Sequence, residues 1–449
     1  MGFLLFPLAL AAQQSLHEAF RCPPDSIRVG CYYYWVNERV DPEGVKKDLQ
    51  WMKDNGITLA FLATDIRNRT RWDNPWEEQV FGDCKFQSPL WWENLRTALR
   101  TAGELGIEMG LFNCPGWSQS GGPWIRPEEA MREWTPDCIR ICQTKQGRDV
   151  TNGPCSEEAE GLEVDKLSKT HVQKHFEAFI GEVLRRIPAE ERRTLTTVVV
   201  DSWERGKQNY TDSIYVKFQQ RFGYPLDYQN PDCQEDLDRL ISDLVASEYM
   251  GGLTEKAHQY GLRTCCEPYA HSPFPGNSIT YGSAADEVAA EFWVNDRKFR
   301  QREVDAALGA ARHSGKNRVW AESFTDGSWE QASQDDWSFE KLKPIADRYF
   351  HAGINATILH VMISQPGDDR EPAVRPWFGT YFDRRSRCAS ELKPLVAYLR
   401  RCNFMLQLGR PLDGAPDCRV LDDGTTIRFT DNSQFEVTFP DGRQETWTP

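Results

Sequence analysis

The stretch Asn55-Gly-Ile-Thr-Leu-Ala-Phe-Leu-Ala-Thr64 decides the fold. Ahead of it, Asp41-Pro42-Glu43 reads as an N-cap with proline in the first turn, and Val45, Leu49 and Met52 recur at helical spacing, so a helix is predicted that stops at Asn55-Gly56. Behind it, Ile57–Thr64 is a nearly continuous apolar run rather than an alternating one, the pattern of a parallel strand covered on both faces. The same order of helix, glycine C-cap and buried strand returns at Leu105-Gly106-Ile107 and Tyr260-Gly261-Leu262. Eight strands are predicted in all: Ile27–Val36, Ile57–Thr64, Ile107–Cys114, Thr196–Asp201, Leu262–Glu267, Glu287–Trp293, Arg318–Ser323 and Ala356–Met362. Amphipathic helices are predicted between them, at Pro89–Leu105, Lys166–Ile187, Cys233–Tyr260, Arg297–His313 and Phe339–Ala352, with Glu391–Leu406 following the last strand. Eight strands alternating with helices specify an α/β chain folded as a (β/α)8 TIM barrel over residues 25–410. The missing Gly-x-Gly-x-x-Gly after the first strand weighs against a dinucleotide-binding sheet. A Gly-, Pro- and Trp-rich insertion at about 115–165 follows the third strand and suits a lid or small subdomain. Residues 411–449 are predicted as a short β-rich tail, a set of hairpins too short for a full sandwich and compatible with the start of an accessory β domain.

Composition narrows the partners. A net charge of −14 repels polyanions, so neither nucleic acid nor an acidic membrane surface is expected to bind. Sixteen tryptophans lean towards carbohydrate, because flat aromatic faces stack on the C–H faces of sugars, although any one of them serves equally well as core. The N-terminus, an apolar run closing on Ala9-Leu10-Ala11, reads as a signal peptide over residues 1–12, and a secreted or periplasmic location is expected. No other run approaches the length needed to cross a bilayer, so no membrane insertion is expected. The thirteen cysteines show no zinc-type pairs; in an exported protein some are expected to form disulfides, and an odd count leaves at least one unpaired.

The chemistry is expected where the carboxyl ends of the barrel strands share one mouth. Those ends read Asn113-Cys-Pro-Gly-Trp117, Asp201-Ser-Trp-Glu204, Glu267-Pro-Tyr269, Glu291-Phe-Trp293, Glu322-Ser-Phe324 and His360. Five carboxylates beside buried strands exceed chance placement, since Asp and Glu are rarely buried without a partner; for any single one a structural salt bridge remains the competing reading. Glycoside hydrolysis needs two carboxyl groups flanking the scissile bond, one protonated and one ionised. Strands four and seven stand across the barrel, which places Glu204 and Glu322 to face each other over a sugar. Asp201, Glu267 and Glu291 are left to hold sugar hydroxyls or a hard cation such as Ca2+. There is no His-Glu-x-x-His, Gly-x-Ser-x-Gly or P-loop to support a competing chemistry.

At these residues the chain resembles glycoside hydrolase family 106, the α-L-rhamnosidases. The resemblance rests on Phe112-Asn-Cys-Pro-Gly-Trp-Ser-Gln-Ser-Gly-Gly-Pro-Trp124 with Pro127-Glu-Glu-Ala-Met131, and on Asp201-Ser-Trp-Glu204 with Asn209-Tyr-Thr211. It extends to Glu267-Pro-Tyr269, Ala321-Glu-Ser-Phe-Thr325, Leu342-Lys-Pro344, Gly353-Ile-Asn355, His360 and Trp377-Phe-Gly-Thr380, so that it spans roughly 30–410. It implies inverting, calcium-assisted release of terminal α-L-rhamnose from a glycan. Carried over by motif, Glu204 is the general acid, Glu322 the general base and Asp201 the support of the acid. Glu291 is a calcium or sugar ligand, and Asn113, Trp117, Asn355 and His360 line the sugar subsite, with Glu267 and Tyr269 counted as substrate-binding. Two alternatives stay open: a hydrolase of the same fold for another deoxysugar or a uronide, and a carbohydrate-binding barrel without turnover.

Overall fold

The computed structural model describes residues 16–67, 80–116, 120–270, 274–295, 300–327, 334–375 and 378–449. The leader at residues 1–12 and Trp117 lie outside them. Eight parallel strands form a closed barrel: β1 (Val29–Val36), β2 (Leu59–Ile66), β3 (Glu108–Phe112), β4 (Leu195–Val200), β5 (Arg263–Cys266), β6 (Glu287–Trp293), β7 (Trp320–Thr325) and β8 (Ala356–Ile363). β8 returns to pair with β1, with Val29 opposite Thr357, which closes the ring. Each strand lies within a few residues of its expected place.

The glycine punctuation works as the sequence requires. Gly56, Gly106 and Gly261 have φ of 83°, 71° and 71°, the left-handed region that ends a helix and turns the chain into the next strand. Pleating then sorts the side chains into two cores. From β1, Tyr33 and Trp35 point outward to the helices, whereas Tyr32 and Tyr34 point into the barrel with Phe61, Phe112, Val199 and Trp320. Both faces are buried, which explains the continuous apolar runs.

At the amino-terminal end of the barrel, Arg28 and Arg263 bridge Glu108, and Arg263 and Arg318 bridge Glu287, sealing that end with charge pairs. The insertion after β3 holds a 3₁₀ turn, Pro127–Glu129, and a two-stranded ribbon, Arg132–Trp134 with Ile139–Ile141. The long helical stretch before β5 is interrupted: Gln234–Leu244 passes through a π-helical turn, Val245–Met250, into Gly251–Gln259. Helices Ile214–Phe222 and Ser278–Ser283 are additions to the expected set.

The tail is more ordered than a set of hairpins. Strands β9 (Arg410–Leu412), β10 (Ala415–Val420), β11 (Thr426–Phe429), β12 (Phe435–Thr438) and β13 (Gln444–Trp447) form one antiparallel five-stranded meander. Phe429 sits edge-on to Phe350 of helix Phe339–Ala352, and Phe435 edge-on to Phe20, so the sheet is anchored to the barrel by aromatic contacts. Among the described residues no disulfide is formed, in contrast to the expectation for an exported chain.

Candidate active site

The carboxyl ends of β1, β4, β6, β7 and β8 surround a cavity of ≈ 300 Å³. It is lined by Asp201, Glu204, Glu291 and Glu322 together with Tyr34, Trp293, His360 and Phe378. Four carboxylates line it, and the described lining residues include no Lys or Arg.

The β4 turn builds the first part of the site. The Ser202 backbone N–H donates to Asp201 Oδ1 (2.8 Å) and its hydroxyl to Glu204 Oε1 (2.9 Å), so one serine links the two carboxylates three residues apart. Trp203 between them is fully buried; its indole N–H donates to Gly206 O and its backbone N–H to Tyr269 O, which fixes the turn that carries Glu204. Lys166 Nζ lies 4.9 Å over the Trp203 ring and 5.4 Å over Tyr249, and is paired with Glu163. Lys166 and Glu163 are 1% and 2% exposed, so the insertion supports the Glu204 turn through a buried ion pair.

Beneath the cavity floor, Glu267 accepts hydrogen bonds from Tyr32 (2.8 Å), Tyr269 (2.7 Å) and the Ser202 N–H (3.2 Å). Asp201, Glu267 and Glu322 bring carboxylate oxygens within 4.8 Å of one another. Such crowding in a buried place disfavours full ionisation. Burial, then the charge of Glu267, pushes Asp201 well above the usual carboxylate range; burial, then Glu267 and Glu291, does the same to Glu322. Glu267 is raised by burial to about 7, less far because Asp201 and both tyrosines donate to it. Thr325 donates to Glu322, and His360 Nδ1 stands 3.7 Å from the same oxygen. Burial lowers the His360 pKa to about 3, so its ring is neutral, and among the described residues its Nδ1 has no hydrogen-bond partner.

At the end of β6, Glu291 accepts from the Trp293 indole and lies 3.3 Å from Arg300, whose guanidinium covers the Trp293 ring at 4.5 Å. Phe378 meets Trp293 edge-on at 5.7 Å. Gly327 makes this wall possible: a Cβ there would lie 2.3 Å from the Trp293 ring.

Several expectations need correction. Asn355 is not in a sugar subsite. It precedes β8, at the amino-terminal end of the barrel, where its carboxamide bonds the backbone of Val319, Asn317 and Leu406. Asn113 is 1% exposed and lies behind the cavity, its amide donating to Ser120 Oγ (2.6 Å) and its carbonyl accepting from His175 (2.9 Å). Glu267 and Tyr269 are one layer below the lining, too deep to touch a sugar directly. Glu291 is absent from the carboxylate cluster suited to a cation; Glu267 stands in its place. Tyr34, Ser202, Trp293, Thr325 and Phe378 were not foreseen. For Trp293 the signal was present, since period-two alternation along β6 puts it on the same inward side as Glu291, while Phe292 stacks outward on Tyr349.

A (β/α)8 barrel with paired carboxylates around a sugar-sized cavity at the carboxyl ends of its strands has the architecture of a barrel glycoside hydrolase. More narrowly, the chain belongs to the glycoside hydrolase 106 family: the family model, described as alpha-L-rhamnosidase, matches residues 21–146 and 133–414. The chain is similar to a Formosa agariphila protein named "Putative beta-glucuronidase", at 24% identity over 511 residues that take in 88% of this chain and 42% of that one. Its fold is similar to the rhamnosidase of Novosphingobium sp. PP1Y, with a TM-score of 0.75 and 19% identity, covering 96% of this chain and 66% of the other. A β-galactosidase from Marinomonas ef1 shares the fold at a TM-score of 0.53 and 11% identity, covering 85% and 62%. The chain thus spans under half of the curated relative and about two thirds of the solved rhamnosidase.

Proposed function

We propose that the chain is the catalytic barrel of an α-L-rhamnosidase, cleaving a terminal rhamnose from a glycan. The observation that carries this reading is the cavity itself: four carboxylates and the aromatic rings of Trp293 and Phe378 line it, with no cation among the described lining residues. A neutral sugar with a methyl group suits such a lining. A uronate, the substrate class suggested by the relative's name, would find no Lys or Arg among the described lining residues to pair with its carboxylate.

In this reading Glu204 donates its proton to the glycosidic oxygen as the bond to the anomeric carbon breaks. Glu322 takes a proton from the water that attacks that carbon from the opposite face. Asp201 holds the acid in place through Ser202, and the neutral ring of His360 offers Nδ1 to a sugar hydroxyl. The products are rhamnose of inverted anomeric configuration and a leaving group that regains its hydroxyl.

The oxygen-only trio Asp201, Glu267 and Glu322 fits a hard cation such as Ca2+, which when bound supplies positive charge that keeps these carboxylates ionised and orients oxygen ligands. The donor set favours such a partner: three carboxylates share one small volume, where burial first and neighbouring charge second disfavour ionisation, and a bound cation would offset both.

A panel of 4-nitrophenyl glycosides tests the assignment, with the first-formed sugar anomer followed by NMR. Release from the α-L-rhamnoside, at least about 100-fold above the β-D-glucuronide, with the β anomer appearing first, is the expected result. Preference for the glucuronide would replace the sugar assignment, and initial release of the α anomer would replace the inverting mechanism.

A further inference from the structure

A second, larger concavity of ≈ 790 Å³ lies beside the catalytic cavity. It is walled by the chain that follows Glu204 (Lys207–Asn209), by the loop after β5 (Phe274–Asn277), and by one face of helix Gln234–Leu244 along its length. The two chain segments leave the carboxyl ends of β4 and β5, so the cleft opens on the catalytic face of the barrel. Lys207 is three residues beyond Glu204, within about 11 Å even for a fully extended chain. Trp203 contacts the cleft residue Phe274 edge-on at 5.4 Å, so one indole separates the turn carrying Glu204 from the cleft.

The chemistry of the walls narrows the occupant. Charges are balanced, with Lys207, Arg221 and Arg239 against Glu235, Asp238 and Asp243, and two of the cations are already paired, Arg221 with Asp243 and Arg239 with Glu235. A site so neutralised exerts little net field on a charged ligand. Amide and hydroxyl groups make up much of the remainder, and Phe274 and Pro275 add an apolar face. Dense donors and acceptors, no net charge and one apolar wall describe a site for a neutral, hydroxyl-rich chain.

We infer that this cleft binds the leaving-group side of the substrate, a neutral oligosaccharide extending from the scissile oxygen past Glu204. The inference rests on the rhamnosidase reading for its direction. A proton donor must face the leaving oxygen, so the leaving group departs along the side of the site that Glu204 occupies. The cleft begins there.

The test uses the whole chain and two variants of the exposed Asp238, Asp238→Trp to fill the cleft and Asp238→Asn to preserve its shape. Labelled protein is applied to an array of rhamnose-free oligosaccharides, neutral and uronate-bearing, and hydrolysis of 4-nitrophenyl α-L-rhamnoside is measured in parallel, because its one-ring leaving group is too short to fill the cleft. The expected result is binding of neutral oligosaccharides by the unaltered chain, weakened at least about tenfold by Asp238→Trp and retained by Asp238→Asn, with nitrophenyl rhamnoside turnover within about twofold in all three. Binding that Asp238→Trp leaves unchanged, capture of uronate-bearing chains only, or a silent array would overturn the inference. Silence on the nitrophenyl rhamnoside with oligosaccharide binding intact would instead remove the rhamnosidase reading and leave a glycan-binding cleft.

Discussion

His175 shows how a single side chain ties stability to pH. Its Nε2 donates to the Asn113 carbonyl (2.9 Å) and its Nδ1 accepts from the Trp124 indole (3.1 Å), a pattern only the neutral ring satisfies. Burial lowers its pKa to about 4, below the value of about 6.5 for an unfolded histidine. The native state therefore disfavours the charged ring. Its contribution is complete above pH 6.5 and is lost as pH falls from 6.5 towards 4, on the order of 3 kcal/mol across the window. Urea unfolding at pH 7 and pH 4.5 checks this. His175→Gln is expected to be less stable at pH 7 and to lose less on acidification than the unaltered chain. Equal losses in the two would show that the ring is already charged or exposed. At the same scale, Gly327→Ala puts a methyl into the Trp293 ring. The expected outcome is a KM for the rhamnoside raised on the order of tenfold, a larger change than in kcat, with the variant still folded because the strain falls on one movable side chain.

Among the elements, the insertion is the one whose role reaches furthest. Its Glu163–Lys166 pair lies under Trp203 and thereby under the turn that presents Glu204. Removing one partner leaves a buried charge, so Lys166→Met is expected to cost about 3–5 kcal/mol in denaturant unfolding. Adding Glu163→Gln, which keeps the acceptor for the Ser120 N–H, is expected to recover most of that loss. A double variant no more stable than the single one would show that the pair is not what holds this layer. The elements were also where the sequence was most legible. Strands buried on both faces must be apolar throughout, and a helix that ends in a left-handed glycine announces the strand after it, so eight strands and their order could be read directly. The extent of the tail sheet could not, because five short strands of mixed polarity owe their stability to Phe20 and Phe350, which are remote in sequence. The site was legible in part. Strand-end carboxylates are conspicuous because they interrupt apolar runs, and Asp201, Glu204 and Glu322 reached one cavity. Asn355 was misplaced although strand direction alone puts it at the far end, and depth separated Glu267 and Tyr269 from the sugar, a distinction that residue type does not carry. The aromatic wall was hidden because a buried tryptophan and a cavity-lining tryptophan look the same in sequence.

For the molecule as a whole, the clustered carboxylates make cation binding and stability one question. A divalent cation held by Asp201, Glu267 and Glu322 would stabilise the folded chain by mass action, and millimolar Ca2+ is expected to raise Tm by roughly 2–4 °C, reversibly with a chelator. Glu267→Gln should abolish the shift and Glu291→Gln should keep it, since Glu291 is engaged by Trp293 and Arg300. The opposite pattern would return the cation to Glu291. The most direct test of the central claim compares leaving groups. Turnover of methyl and 4-nitrophenyl α-L-rhamnosides is measured for the unaltered chain, Glu204→Gln and Glu322→Gln. An acid matters most when the leaving group is poor, whereas a base that activates water matters for both. Glu204→Gln is therefore predicted to lose on the order of 10⁴-fold on the methyl rhamnoside and far less on the nitrophenyl one, with Glu322→Gln losing at least about 100-fold on each. Turnover unaffected by either change, or sensitivity to the leaving group appearing in Glu322→Gln instead, would contradict the account.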